Sequence, residues 1–362
     1  MSSIFNGTVS AETVVHNVLA YAGADATGAA FWLPLIFFCV MGLAVLAYVL
    51  LDGYDLGVGI LSPLVKGRDR DLMIASIGPF WDANETWLVL GVGVLLVAFP
   101  MAHGVILQQL YLPVLVMLIG VALRGVSYEL RVKMKESHRA LWDRTFFAGS
   151  LLMALSQGYM LGRYISGFSS DAGSMVFAVL TALCVAAAYA LIGACWLIMK
   201  AEHDLQKRAI VWARRSLIWM AMGIVAVSIF TPWVSPHIFR KWFNLESFYL
   251  LGLVPTLTIL IFAAMVLFLK RLGDDANSDN RNGLNRWCWA PFAGTVLLFI
   301  LAFDGLAHSL FPYLVLDRIT IWQAASATSS LWIILIGALL VLPMIVFYTV
   351  YAYRVFWGKI RL

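Results

Sequence analysis

Apolar residues run in long stretches along this chain, and polar residues gather in the intervals between them. A helix needs roughly 20 mostly apolar residues to cross a hydrocarbon core about 30 Å thick. Nine stretches meet that length: 32–51, 78–99, 105–124, 146–165, 175–199, 216–234, 248–269, 288–310 and 331–353. None alternates in the ten-residue pattern of a barrel strand, and open sheet edges cannot face lipid, so the pattern predicts helices throughout. The longest polar interval, 270–286, reads as a loop too short to fold alone. The chain therefore reads as one integral membrane domain over 1–362, all-α and polytopic, with no repeat strong enough to suggest inverted transporter halves.

Charge tests this segmentation, because Lys and Arg collect in cytoplasmic connections. Of the 25 basic residues, 21 fall in one alternating set of connections and 4 in the other. A wrong helix count would scramble that split. It predicts an outside N-terminus, with residues 1–30 as a periplasmic segment, and an inside C-terminus. Residues 1–30 carry no Lys or Arg, which argues against a cleaved secretory signal, and 10–20 reads as a short surface helix capped by Ser10. Composition agrees: 62% of residues are hydrophobic and 12% charged, against about 45–50% and about 25% in soluble domains. A soluble fold, a disordered chain and a nucleic-acid binder are poor fits. Cys39, Cys184, Cys195 and Cys288 form no CxxC pair and read as small apolar residues rather than a disulfide framework or zinc site.

The informative residues are the ionisable ones at the membrane edge, since a carboxylate at mid-membrane costs about 2.5–3.5 kcal/mol on insertion scales. Asp52 and Asp55 close the first span, three apart and so on one helical face. Taken alone, they read as hydrated helix-end acids. Gly78-Pro79-Phe80-Trp81-Asp82-Ala83-Asn84-Glu85-Thr86-Trp87 opens the second span, with Pro79 in its first turn. Asp82 and Glu85 again share a face and are expected to line a wet cavity or a partner surface. Arg124 closes the third span at the same level. Its guanidinium either pairs with Asp55 or Asp82 or snorkels to the interface. Asp304 and His308, four apart near the end of the eighth span, read as a structural helix-end pair. Of six His none lies at mid-span, so a haem held by this chain alone is not expected.

The runs Asp52-Gly53-Tyr54-Asp55-Leu56-Gly57-Val58-Gly59 and Trp81-Asp82-Ala83-Asn84-Glu85-Thr86-Trp87, with Arg124-Gly125, Gly193-Ala194-Cys195-Trp196-Leu197 and Tyr353-Arg354-Val355-Phe356-Trp357-Gly358-Lys359, resemble subunit II of the cytochrome bd-type quinol oxidases, including the cyanide-insensitive branch. The resemblance implies nine transmembrane helices, arranged as two four-helix bundles plus one more. It implies a bacterial inner-membrane heterodimer whose haem-bearing subunit I holds the haems b and d, or b only, and oxidises the quinol, while this chain holds no cofactor, metal or catalytic residue. It also implies that Asp52, Asp55, Asp82, Asn84, Glu85 and Arg124 belong to a proton route toward the haem site, with Trp87 near an apolar oxygen route in some members. Ala83 stands where many relatives carry Gly. Small accessory subunits, membrane lipids or a structural quinone are left open as further partners, and a proton-coupled transporter using the same acids is the alternative reading.

Overall fold

In hydrocarbon every backbone N–H and C=O must find its partner inside its own segment, and the apolar runs accordingly fold as helices. The computed structural model describes residues 28–133, 136–242, 248–278 and 281–360. The expected surface helix at 10–20 lies outside them. In chain order the helices are α1 (Ala29–Leu61), α2 (Arg68–Ala75), α3 (Trp81–Ala98), α4 (Pro100–Lys133), α5 (Glu136–Ile165), α6 (Ala172–Lys200), α7 (His203–Val234), α8 (Pro236–Trp242), α9 (Phe248–Asn277), α10 (Arg281–Trp287), α11 (Ala290–Leu310), α12 (Ile321–Ala324) and α13 (Thr328–Val355). All nine expected spans fall on long helices. Eight of these are long and apolar enough to cross a membrane by length and composition. The exception is α5, whose charge-free middle carries Ser150, Ser156, Gln157 and Tyr159 among its apolar residues.

The helices pack in two groups. Helices α1, α3, α4 and α5 form one and α6, α7, α9 and α11 the other, joined where α6 lies against α1 and α5. Helix α13 lies outside both, touching α1 and α3, and none of its most apolar eighteen residues is buried.

Several helices overrun the hydrophobic stretches that mark them. Helix α1 continues ten residues past the predicted end at 51, and α4 continues past Arg124 to Lys133. Hydropathy reports membrane thickness, whereas a helix continues as long as its side chains find partners. The interval 270–286, expected as a loop, is for the same reason largely helical, in the end of α9 and in α10. The opposite correction applies at the second span: residues 78–80 form a turn and α3 begins at Trp81, so Pro79 precedes the helix.

Two features close the ends. At one, β1 (Tyr313–Val315) pairs antiparallel with β2 (Ile319–Thr320), and Thr320 and Gln323 form a capping box on α12. This small hairpin is a departure from an all-helical expectation, and Trp322 ties it to α1 by donating to the Phe31 carbonyl at 3.1 Å. Near that end Asp171 caps α6, accepting from the Ser174 backbone at 2.8 Å and from the hydroxyls of Ser174 and Ser169; these donors pull its carboxyl down to about 2. At the other end, where the basic connections lie, Asp143 of α5 accepts from Arg70 and Arg131, each at 2.6 Å, and Arg131 also reaches Asp71 at 2.5 Å. This network fastens α2 across the ends of α4 and α5.

Helices α1 and α6 cross almost backbone to backbone. A Cβ on Gly57 would lie 1.8 Å from the Tyr189 carbonyl oxygen, and one on Gly193 would lie 2.5 Å from the Gly57 carbonyl carbon. A side chain at either position must push the helices apart, and overpacking of this kind costs about 1–3 kcal/mol or more. Gly57→Ala is expected to lower the melting temperature and yield of the protein in mild detergent. Gly93→Ala, whose Cβ would meet nothing within 4 Å, is expected to leave both unchanged; equal effects from the two would refute the close-packing account.

Candidate functional site

One turn before the α1–α6 crossing, α1 carries two acids into the protein. Asp52 and Asp55 are both 0% exposed, so the hydrated helix-end reading is corrected: α1 does not stop there, and its next two turns seal both carboxyls inside. Arg124 enters from α4, itself 1% exposed. Its Nη1 lies 2.6 Å from Asp52 Oδ1, and its Nη2 donates to Glu85 Oε1 of α3 at 2.7 Å. The expected partners were Asp55 or Asp82; those found are Asp52 and Glu85, and Arg124 does not snorkel. Helix α5 can come close here because Gly149 lies against the Arg124 backbone, where an added Cβ would sit 2.8 Å from the Arg124 nitrogen.

Charge arithmetic sets the chemistry. At 4 Å an ion pair gains about 4 kcal/mol for an effective dielectric of about 20, while removing each ion from water costs several kcal/mol. One guanidinium therefore supports the two carboxylates it touches and leaves a third without a cation. Asp55 is that third acid. Its Oδ2 accepts only from the neutral Asn84 amide, at 2.8 Å, and its Oδ1 has no hydrogen-bond partner. The Arg124–Asp52 contact also lies off the hydrogen-bonding axis, so both Asp52 oxygens and Arg124 Nη1 are without an in-line partner. Buried polar atoms in that condition mark places where water or a moving proton belongs.

Asn84 gathers a second set of groups. Its amide nitrogen also faces the Tyr54 hydroxyl at 3.0 Å and the Leu51 carbonyl at 3.1 Å, while its oxygen accepts from Tyr353 of α13 at 3.2 Å. The two tyrosine hydroxyls are 2.5 Å apart. Since the Tyr353 hydrogen is committed to Asn84, Tyr54 donates to Tyr353. Behind them Tyr54 stacks on Trp196 and Phe80 on Tyr353, with centroids 4.1 and 4.5 Å apart. The tail then folds back: Lys200 donates to the Phe356 carbonyl at 2.7 Å and Lys359 to the Ala201 carbonyl at 2.9 Å. The dispersed sequence runs around Asp52, Asp82, Gly193 and Tyr353 thus converge on one place.

The remaining expected residues fall into place around this site. Glu85 is partly open, its side chain 21% exposed, and Asp82, one turn earlier on α3, is exposed. Trp87 is buried with Ala44 and Tyr48. Asp304 and His308 are both exposed on α11 and stand away from this constellation. Sequence reasoning passed over Tyr48, Gln157 and Tyr189, which hydrogen-bond to one another beside Asp52; the available signal was a lone amide in the middle of an apolar run. Among the described residues no cluster of His, Cys, Asp or Glu is suited to a metal ion. Of the two His near span ends, His103 on α4 is half-buried and His308 on α11 is exposed.

The family model for cytochrome bd terminal oxidase subunit II matches residues 33–356. Cytochrome bd ubiquinol oxidase subunit 2 of Bacillus subtilis is 26% identical over 345 residues, covering 90% of this chain and 96% of that one. Cytochrome bd-I ubiquinol oxidase subunit 2 of Escherichia coli K12 is 23% identical over 375 residues, covering 91% and 95%. A chain in the solved bd oxidase of Geobacillus thermodenitrificans has the same fold, with a TM-score of 0.73 at 17% identity over 90% of this chain and 98% of that one.

Breaking a buried pair by removing one partner costs about 3–5 kcal/mol, because the remaining charge is stranded. Arg124→Gln is expected to destabilise the protein by that order, read as a drop in melting temperature in detergent. Adding Asp52→Asn is expected to restore part of the loss. Arg124→Lys is expected to restore little, since one ammonium does not present the planar fork that spans two carboxylates. A fully stable Arg124→Gln variant would show that the acids are not held as ions by this residue.

Proposed function

The chain belongs to the cytochrome bd terminal oxidase subunit II family, and from that premise we propose that it is the haem-free half of a heterodimeric quinol oxidase, with its buried acids carrying protons toward an O2-reducing centre in the partner. Membership makes it a subunit of a terminal quinol oxidase and a multi-pass membrane protein. The proposal concerns what this chain contributes there.

Reducing O2 to water takes up one proton for every electron, and a centre buried in lipid must receive those protons through acids, hydroxyls and water. One observation carries the reading: Asp55, Asp52, Glu85 and Asp82 run from the sealed interior to the exposed face of α3 around a single guanidinium. Arg124 pairs with Asp52 and Glu85. Asp55, with no cation of its own, is the acid that can take up and release a proton, with Asn84 holding it in line. Asp82 at the surface is the hand-over point to the partner. Haem and quinol belong on the partner's side: they supply the electrons and the oxygen site, and this chain supplies no ligand for them. Trp87 and its apolar neighbours on α1 offer O2 a dry passage beside the polar one. We further propose that α5 is the ninth span, since it packs between α4 and α6 and the alternation of basic connections requires a crossing there. With it the N-terminus lies outside and the C-terminus inside a bacterial inner membrane. Covering the flank of the haem subunit, and so supporting assembly, is the second contribution, with lipids, a structural quinone or small accessory subunits filling what the pair leaves open.

In the assembled oxidase, Asp55→Asn and Asp52→Asn are each expected to lower quinol-driven O2 consumption by about 10²-fold, the lower range for losing a positioned proton carrier, with haem spectra unchanged. Wild-type turnover in an assembled Asp82→Asn enzyme would contradict the route. Loss of solute uptake in place of oxygen consumption would instead make the acids a transport site.

A further inference from the structure

Neither oxygen of Asp52 has an in-line donor, Arg124 Nη1 lying 2.6 Å from Oδ1 but off axis, and α1 places Tyr48 one turn before Asp52 on the same face. Tyr48 is 3% exposed, and its hydroxyl lies close enough to the Asp52 carboxylate to feel its charge without meeting it in line. It accepts a hydrogen bond from the Gln157 amide of α5 at 2.7 Å, and Gln157 Oε1 in turn accepts from the Tyr189 hydroxyl of α6 at 2.6 Å. We infer that Tyr48, Gln157 and Tyr189 form a directed hydrogen-bond chain that orients the Asp52 carboxylate, making Tyr48 a positioning residue for proton transfer. The inference rests on the proton-route reading and names residues that reading does not use.

Direction follows from counting hydrogens. A tyrosine hydroxyl carries one, and an amide carries hydrogens only on nitrogen. Tyr189 gives its hydrogen to Gln157 Oε1, which turns the Gln157 nitrogen toward Tyr48. Tyr48 accepts there, so its own hydrogen is left over beside a carboxylate with unused acceptors. The opposite amide orientation would spend the Tyr48 hydrogen on Gln157 and leave none for Asp52. Every donor in the chain thus points toward the negative charge, the arrangement in which successive hydrogen bonds polarise and strengthen one another in a low-dielectric interior. Geometry supports it further. Tyr189 and Gly193 sit one turn apart on α6, and the Gly57–Gly193 contact that brings α6 against α1 also places the Tyr189 ring against Gly53, where a Cβ would lie 2.8 Å from it. A mid-membrane glutamine needs such partners to be tolerated at all, and the chain gives it both.

The test uses the assembled oxidase with Tyr48→Phe, Gln157→Leu, Asp52→Asn and the double variant Tyr48→Phe/Asp52→Asn. Haem spectra establish assembly in each. Tyr48→Phe removes one hydroxyl and no volume elsewhere, and it is expected to lower turnover about tenfold, the size of one hydrogen bond to a charged group. It is also expected to displace the pH–rate profile. In the double variant it is expected to add nothing to Asp52→Asn, because the residue acts through that carboxyl. Gln157→Leu is expected to reproduce the displaced profile. An infrared carboxyl band assigned to Asp52 by its loss in Asp52→Asn is expected to shift in Tyr48→Phe. A full tenfold loss persisting in the Asp52→Asn background, or an unmoved pH profile and infrared band, would overturn the inference. Wild-type turnover in Asp52→Asn would sink the proton-route reading instead, and the infrared shift would then decide the orienting role by itself.

Discussion

A single guanidinium surrounded by three carboxyls governs this structure. Arg124 is sealed from solvent with Asp52 and Asp55, and buried ions are tolerated only when paired and hydrogen-bonded. That requirement fixes how the first bundle goes together. Helix α1 must turn its Asp52 face inward, α3 must turn Glu85 toward α4, and α4 must run past the membrane edge to carry Arg124 between them. None of these helices is free to rotate without stranding a charge. The aliphatic packing around them is tolerant of change by comparison, because hydrophobic contacts are non-directional.

The second constraint is backbone proximity. Where α1 crosses α6 at Gly57 and Gly193, helix axes come together as small-residue interfaces allow in membranes, where apolar side chains gain nothing by leaving lipid for protein. This contact delivers the polar groups of α6 to the acid-bearing face of α1. The C-terminal segment completes the enclosure from another side, with Tyr353 reaching Asn84 and the Lys359 and Lys200 ammoniums tying the tail to the end of α6. Residues hundreds of positions apart thereby share one hydrogen-bond set, and a disturbance at the tail reaches Asp55 through two contacts.

Much of the helical framework was legible in the sequence because lipid imposes a length and a polarity on each crossing. Asp52 and Asp55 were legible as a pair because spacing of three places them on one face. Their burial was not, since hydropathy records where apolar residues stop and not where a helix stops. Glu85 as the Arg124 partner, in place of Asp82, depends on how α3 is rotated by its packing on α1, where a Cβ on Gly91 would lie 3.3 Å from Val45; local spacing does not carry that angle. Tyr353 meeting Tyr54 and Gln157 meeting Tyr48 are contacts across 299 and 109 positions, beyond the reach of any periodicity. Resemblance to a family pointed to the acids and to the runs that hold Tyr54 and Tyr353, but not to Tyr48 or Gln157.

The exposure of Asp82 follows from the same logic. A carboxylate costs about 2.5–3.5 kcal/mol at mid-membrane and less toward the edge, and Asp82, exposed in the first turn of α3, costs least where water or a polar surface covers that face. Asp52 and Asp55 are enclosed by this chain, Glu85 is partly open, and Asp82 is left at the boundary. On the proposed reading this division is functional: a proton leaving the sealed acids must cross into another protein, and a carboxylate at the edge of the subunit is a donor that the partner completes on docking. The route would then exist only in the assembled pair, which keeps an open proton leak from forming in an unassembled subunit.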